Sequence, residues 1–402
     1  MRKLLVLFAL GVVGAGLLAT TGAAAGAGAC GALAPRDGTG RFGGVISAQA
    51  IAGTCTVHNT GDPARGTPPL LYFGGPVMPS TKKSPVTVTP IYWNPPPAHA
   101  GPGGHPGPGP GPGPGMDGRY KDLITQYLGD VAHDSGMNTN VFSVATEYAG
   151  SNGTIGNYVK LGAPIDDHQA FPASGCMVAP ADATGIYADG SGYTSCLDDA
   201  QVTGEIQRLI DTSHGRLAQN DYTHIYVMYT PKGVESCFNP GDTTSTAGGQ
   251  ACTINYEPTA AYCAYHSMMG NNWPAFGTIY ANMPYPIYHS AVGFTCGSDA
   301  GNFLGGLQSP NHNLDADTEL SPSSHEINEA ITDPNVYNGW YDSNGYENGD
   351  ECAYVWGGVA GKFGSEYNQV INKHQYLTQE EFSNIDFTDT AGGCVQSKSA
   401  EG

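Results

Sequence analysis

The sequence predicts an α/β fold in which helices flank a mixed sheet, a metal-binding motif lies on a late helix, and disulfide bonds staple the chain. Strand-like and helix-like segments alternate through the middle of the chain, as they do in α/β proteins. Ten cysteines, an even number, indicate disulfide bonds. The segment His325-Glu326-Ile327-Asn328-Glu329 places possible metal ligands four residues apart.

Residues 1–25 have the pattern of a secretory signal peptide. Basic residues at Arg2 and Lys3 precede an apolar run from Leu4 to about Leu18, and small residues follow through Ala25. The apolar run is too short for a convincing membrane span. We therefore expect an exported protein. Residues 26–84 lack periodic apolar segments, so we expect a loosely structured extension or pro-region there.

The main α/β domain is predicted over residues 85–402. Alternating residues from Pro85 to Trp93 indicate its first strand. A Gly-Pro alternation at 101–115 has a period of two residues, so it predicts an exposed extended loop and not a collagen helix. Helical spacing follows from Tyr120 to Leu128, and strand character returns from Asn140 to Tyr148.

Three further segments continue the alternation of helices and strands. Apolar spacing predicts a helix near Gln201–Thr212, and an apolar run at Thr223–Thr230 predicts a central buried strand. Another strand is predicted at Gly277–Met283. The candidate site then follows on a late helix, an order that zincin proteases share with many other folds.

The motif helix is predicted from about Ser321 to Thr332. Ser321 would cap it, Pro322 suits a first helical turn, and Pro334 would end it. Ser323 followed three residues later by Glu326 also matches a capping box.

The motif is a variant of the H-E-x-x-H pattern of zincins, with glutamate as the second ligand. On a helix, His325 and Glu329 share a face and can bind one metal ion. Glu326 is then the candidate catalytic base, which accepts a proton from the attacking water. Glu347 and Asp350, in an acidic segment downstream, are the candidates for the third metal ligand. A histidine such as His266 or His374 could stabilise an oxyanion.

The net charge of −20, with only 16 basic residues, argues against nucleic acid or an anionic membrane as a partner. We expect a peptide or protein substrate, no membrane association after signal cleavage, and a monomer. The simplest disulfide pairs are Cys30–Cys55, Cys176–Cys196 and Cys352–Cys394, although the sequence alone leaves the pairing open.

Several stretches resemble the phosphate-induced, EXORDIUM-like family of secreted proteins, between about Gly75 and Cys394. They are Gly74-Gly75-Pro76-Val77 with the Val86–Trp93 strand, the strand through Tyr229 with Cys237 and Cys263-Ala264-Tyr265-His266, the motif helix with Asp333-Pro334, and Trp340-Tyr341 through Glu347, Asp350 and Cys352. The resemblance implies an extracellular or cell-wall location and a genuine site. It implies no assigned reaction.

The leading interpretation is a secreted, zinc-dependent hydrolase that acts as a peptidase. The alternative is a non-catalytic extracellular protein stabilised by calcium, which Asp342, Asn344, Glu347 and Asp350 would bind through oxygen. Glycoside hydrolysis by a carboxylate pair such as Glu326 and Glu347 depends on their separation in space. A serine hydrolase is disfavoured because the chain lacks a G-x-S-x-G elbow.

Overall fold

The computed structural model describes residues 68–96, 115–116, 118–173, 176, 192–238, 252–253, 262–270, 277–287, 296, 307–336, 338–387 and 392–398. The predicted signal peptide at 1–25 and the Gly-Pro loop through residue 114 lie outside these residues.

The described part of the chain contains short and long strands, three α-helices and two 3₁₀ helices. The strands are β1 (Leu71–Tyr72), β2 (Val86–Trp93), β3 (Ala149–Gly150), β4 (Gly153–Thr154), β5 (Val159–Leu161), β6 (Ile165–Asp167), β7 (Ser195–Asp198), β8 (His224–Tyr229), β9 (Val234–Cys237), β10 (Tyr265–Gly270), β11 (Gly277–Met283), β12 (Trp340–Tyr341), β13 (Gln369–Ile371), β14 (His374–Tyr376), β15 (Glu381–Phe382) and β16 (Cys394–Val395). The α-helices are α1 (Gly118–His133), α2 (Asp199–Thr212) and α3 (Leu314–Thr332), and the 3₁₀ helices are Val141–Glu147 and Asp350–Cys352.

A six-stranded mixed sheet organises the molecule. Its strand order is β10-β11-β8-β2-β5, and β6 also pairs with β2. Strands β11, β8, β2, β5 and β6 pair in parallel, whereas the edge strand β10 runs antiparallel to β11. The predicted α/β fold with a mixed sheet is confirmed, and the run at Thr223–Thr230 does form an interior strand, β8.

Apolar side chains cover both faces of the sheet. On β8, Ile225, Val227 and Tyr229 join a core that includes residues of α1 and α3. The alternate residues Tyr226 and Met228 belong to a second core with side chains of α2. This alternation follows from the two-residue period of a strand. The sheet therefore lies between two layers, and α3 packs against α1, β10 and β11.

The motif helix is longer than predicted and begins earlier. It starts at Leu314 with Asn313 as its N-cap, because the Asn313 side chain accepts a hydrogen bond from the Ala316 N–H. Pro322 lies inside the helix, so the predicted start near Ser321 is wrong. Proline removes one backbone hydrogen bond from the helix. The packing of α3 against α1, β10 and β11 compensates for this loss. The predicted end at Thr332 is confirmed.

The segment Asn140–Tyr148 is a second correction, because it forms the 3₁₀ helix Val141–Glu147 and not a strand. The Asn140 side chain accepts a hydrogen bond from the Phe142 N–H, which starts the turn. Consecutive residues from Val141 to Ala145 are buried, whereas a half-exposed strand would bury alternate residues. The β-branched and aromatic composition indicated a strand, but the asparagine cap starts a 3₁₀ helix instead.

Packed structure begins by residue 68, within the segment 26–84 that we predicted to be loosely structured. Val77 and Met78 are fully buried, and β1 pairs with β12 just beyond the motif helix. The Met78 N–H donates to the carbonyl of Ile331, a residue of α3.

Four disulfide bonds lie among the described residues, namely Cys176–Cys196, Cys237–Cys252, Cys263–Cys296 and Cys352–Cys394. Two of the three predicted pairs are therefore confirmed. The third, Cys30–Cys55, lies outside the described residues. Such bonds are compatible with an extracellular protein. Across the described residues, none of the helices is long and apolar enough to cross a membrane.

Candidate metal centre

The C-terminal half of α3 carries ionisable side chains in the protein interior. His325, Glu326 and Glu329 have no exposed surface. Charged groups are rarely buried without partners because removal from water is costly. A helix that buries three of them side by side therefore needs compensating groups on the elements around it.

The first of two ligand groups contains His325, Glu329 and Asp350. The His325 Nε2 lies 2.8 Å from the Glu329 Oε1 and 3.6 Å from the Asp350 Oδ1. One ligand atom from each residue lies within 4.8 Å of the others. Two of these residues come from successive turns of α3, as the i, i+4 spacing predicts, and Asp350 is brought in by the second 3₁₀ helix.

The second group contains His266, Glu329 and Glu347, whose ligand atoms meet the same limit of 4.8 Å. His266 lies on the edge strand β10, which packs against α3. Its Nδ1 is 3.5 Å from the Glu329 Oε2, and its Nε2 is 3.8 Å from the Glu347 Oε1. The structure therefore assigns the two candidates for the third ligand to different groups, and Glu329 belongs to both.

Hydrogen bonds fix the loop that carries Glu347 and Asp350. The Asp350 N–H donates to the Glu329 Oε1 at 3.0 Å, and the Glu347 N–H donates to the Asp350 Oδ2 at 3.1 Å. Between them, the Asn348 side chain accepts from the Thr332 hydroxyl and donates to Glu381. The loop is thus hydrogen-bonded both to α3 and to β15. Two residues after Asp350, Cys352 forms a disulfide bond with Cys394.

Glu326 lies beside the two groups but is a member of neither. Its Oε2 is 3.1 Å from the His266 Nδ1. Glu326 lies one step around the helix from His325, as the sequence predicts, and its carboxylate contacts the His266 imidazole. A carboxylate that is near the ligands but outside both groups can act on a water molecule.

The imidazoles are held in their charged forms by the carboxylates when no metal is bound. Burial by itself lowers the pKa of His266, but the hydrogen bond to Glu326 and the nearby carboxylate of Glu329 outweigh it and raise the pKa to about 10. Burial is likewise outweighed at His325, where the charge of Glu329 raises the pKa. At Glu329, burial is outweighed by the positive charge of His325, and the pKa falls to about 2.

The other carboxylates are destabilised in their charged forms. Burial, followed by the charge of Glu329, raises the pKa of Asp350 to about 7. The same two causes raise the pKa of Glu347, and burial raises the pKa of Glu326. The groups on this side of α3 therefore repel one another unless protons or cations lie between them.

Several buried atoms of the groups have no hydrogen-bond partner in the part of the chain that the structure describes. They are both imidazole nitrogens of His325, the Glu329 Oε2 and both carboxylate oxygens of Glu347. The 2.8 Å contact between His325 and Glu329 is an ion pair without hydrogen-bond geometry. Buried polar atoms are normally paired, so unpaired lone pairs that converge fit a bound cation. Nitrogen and carboxylate oxygen together are a donor set that suits zinc.

The predicted calcium loop has a different geometry. The Asp342 Oδ1 accepts hydrogen bonds from the backbone N–H groups of Asn344 and Tyr346, and the Asn344 side chain is exposed. Asp342 thus stabilises a turn, and it belongs to neither ligand group. Cysteine groups with similar spacing involve Cys176, Cys196, Cys237 and Cys252, whose sulfurs are in disulfides and cannot serve as thiolate ligands.

Sequence reasoning considered His266 for an oxyanion and not as a metal ligand. It lies on a strand sixty residues before Glu326. The one nearby feature of the sequence that drew attention to it was Cys263, three residues earlier. The other histidine considered, His374, pairs instead with Asp130 of α1.

No protein-family model, curated protein or solved structure matches this chain. The resemblance to EXORDIUM-like proteins therefore stays a prediction. The site has to be interpreted from its own chemistry.

Proposed function

We propose that this protein is a secreted, metal-dependent hydrolase that uses zinc to cleave peptides. One observation carries the proposal: His325, Glu329 and Asp350 converge in the interior, and Glu326 lies beside them without joining the group. This is the division between ligands and base that the variant zincin motif predicts.

A bound zinc ion would lower the pKa of a coordinated water molecule and polarise a scissile carbonyl. The protein's own groups then supply the proton transfers. Glu326 is the base that takes the proton of the attacking water, and the His266 Nδ1, 3.1 Å away, fixes the orientation of its carboxylate. Asp350 is the one ligand of the first group with any exposed surface, at 7 %, so we infer that water would approach the group from its side.

The architecture supports this assignment by analogy. The motif lies on a late helix of a mixed α/β fold and packs against the edge strand β10, and we take a zincin-like arrangement as part of the proposal. The predicted signal peptide and the disulfides support export, and an extracellular or cell-wall location is part of the proposal.

A second candidate function is a non-catalytic extracellular protein that a cation stabilises. The burial of the site favours it, because the side chains have no exposed surface in His266, His325, Glu329 and Glu347. Structural metal sites are closed, whereas catalytic sites keep a position open to water. In that case Glu326 would be a neutralising neighbour of His266 and not a base.

The test compares Glu326→Gln with Glu319→Gln in the purified chain. Glu319 is an equally buried glutamate about two turns earlier on the same helix, and it lies outside both ligand groups. Zinc content and cleavage of a broad peptide library are measured for both variants and the unaltered protein. We expect equal zinc contents, and we expect Glu326→Gln alone to lose about 10²- to 10⁴-fold in cleavage rate.

Three other outcomes are informative. Stoichiometric zinc without cleavage by the unaltered protein would support the structural cation. Equal cleavage by Glu326→Gln and Glu319→Gln would remove Glu326 from the mechanism. Absence of zinc from carefully purified protein, and failure to take it up, would refute the zinc hydrolase, and failure to bind calcium as well would refute the second candidate.

A further inference from the structure

We propose that the site is a binuclear centre in which Glu329 bridges two divalent cations. This inference rests on the metal binding of the proposed function and extends it from one ion to two. The first position lies among His325, Glu329 and Asp350, and the second among His266, Glu329 and Glu347.

The two oxygens of Glu329 face different groups. Oε1 is 2.8 Å from the His325 Nε2, whereas Oε2 is 3.5 Å from the His266 Nδ1. A carboxylate that gives one oxygen to each of two ions holds them about 3.5–4 Å apart, the spacing of two-metal sites in hydrolases. Glu329 is therefore placed as a bridge and not as a ligand of a single ion.

His266 is oriented as a ligand of the second position. Its Nε2 lies 3.2 Å from the carbonyl oxygen of Asp333, and a carbonyl can only accept, so this nitrogen carries a proton. Binding of the second ion would displace the Nδ1 proton that bonds to Glu326 in the metal-free protein, and the freed lone pair would face the oxygens of Glu326 and Glu329. Metal-binding histidines commonly donate their other N–H to a backbone carbonyl in this way.

Glu347 supplies an independent observation for the second position. It is fully buried, and neither of its carboxylate oxygens has a hydrogen-bond partner. The nearest imidazole nitrogen, Nε2 of His266, is 3.8 Å away, beyond hydrogen-bond distance. An ion bound by His325, Glu329 and Asp350 alone would leave this carboxylate uncompensated in the interior.

The charges of the cluster also favour two ions. The carboxylates of Glu326, Glu329, Glu347 and Asp350 carry four negative charges when ionised, and metal-bound imidazoles are neutral. Glu381, which accepts a hydrogen bond from Asn348, is a further buried carboxylate beside the cluster. A single divalent cation would therefore compensate only part of the negative charge, and a second ion would compensate more of it.

The test measures zinc stoichiometry by mass spectrometry after saturation with Zn²⁺ and removal of excess ion. The unaltered chain and Glu319→Gln should hold about two zinc ions, and the isosteric Glu347→Gln should hold about one. Circular dichroism confirms that each variant is folded. X-ray absorption of the zinc-loaded protein should show a zinc–zinc distance of about 3.5–4 Å, which Glu347→Gln should lose.

The outcomes separate this inference from the proposed function. One zinc ion in the unaltered chain, with Glu326-dependent cleavage intact, would overturn the binuclear centre and leave the hydrolase standing. Two ions without any cleavage would support the binuclear centre and refute the hydrolase. Two ions with no zinc–zinc distance in that range would overturn the bridge at Glu329.

Discussion

Gly349 lies against the proposed metal centre, and its substitution gives a sharp test of the site. A Cβ at this position would lie 2.9 Å from the Cγ and Nδ1 of His325 and 3.0 Å from the Glu329 Oε1. Its φ of −73° and ψ of −42° are ordinary for alanine, so Gly349→Ala adds a steric conflict without backbone strain. The added methyl group is therefore aimed at two proposed ligands.

The size of the effect follows from these distances. Non-bonded carbon atoms pack at about 3.5–4.0 Å, so the His325 ring must move by roughly 0.6–1 Å. Ligands of a metal site tolerate deviations of only about 0.2 Å, whereas the metal-free side chains can shift. An overpacking cost of about 1–3 kcal/mol then falls mainly on the metal-bound state. That corresponds to roughly a 5- to 150-fold loss of zinc affinity.

The assay is competition for Zn²⁺ against a chelating indicator, with unfolding of the metal-free proteins followed in parallel. Gly358→Ala is the matched control, because an added Cβ there has nothing within 4 Å. We expect Gly349→Ala to bind zinc more weakly, and we expect Gly358→Ala to bind like the unaltered protein. If both variants keep full affinity, His325 and Glu329 do not hold the ion.

Two further predictions concern pH and a disulfide bond. Without metal, the protons on His266 (pKa about 10, against 6.5 ordinarily) and Asp350 (about 7, against 3.8) stabilise the fold at low pH. The metal-free Tm should thus fall as the pH rises from about 5 to 9. The zinc-loaded Tm should fall less, because the ion replaces these protons. An equal fall in Tm with pH for the two forms would contradict this. Replacing Cys352 and Cys394 by serine opens a 42-residue loop and should cost about 3–4 kcal/mol of unfolding free energy in denaturant titrations. It should also weaken zinc binding, since Asp350 lies in the same 3₁₀ helix, and unchanged affinity would show that the loop is held without the bond.

Local periodicity was enough to predict three strands of the sheet, β2, β8 and β11, whereas β5, β6 and β10 were not predicted. Each of the three predicted strands has a sequence pattern typical of a strand, and most of its side chains are buried in the fold. They are Val86–Trp93, His224–Tyr229 and Gly277–Met283. At α3 the same rules failed at one end. Pro322 looks like a helix start, yet burial on several sides keeps the helix intact through it.

The candidate site shows the same division between near and distant contacts. His325 and Glu329 were predictable because the helix period alone places them together. His266 was not predictable as a ligand, because its position depends on the pairing of β10 with β11 and on the packing of that edge against α3. From the sequence, Glu347 and Asp350 were alternatives for one ligand position. In the structure they belong to different candidate ligand groups.

Residues near the start of the described part of the chain are bonded to residues far along it, which sets an order for folding during synthesis. The Leu70 N–H donates to the side chain of Asn384, 314 residues later, and the Met78 N–H donates to the end of the motif helix. A growing chain emerges from its N-terminus, so these early residues wait for nearly the whole polypeptide. The packing of residue 70 can therefore be completed only after residue 384 has been synthesised, and the packing of residue 78 only after residue 331.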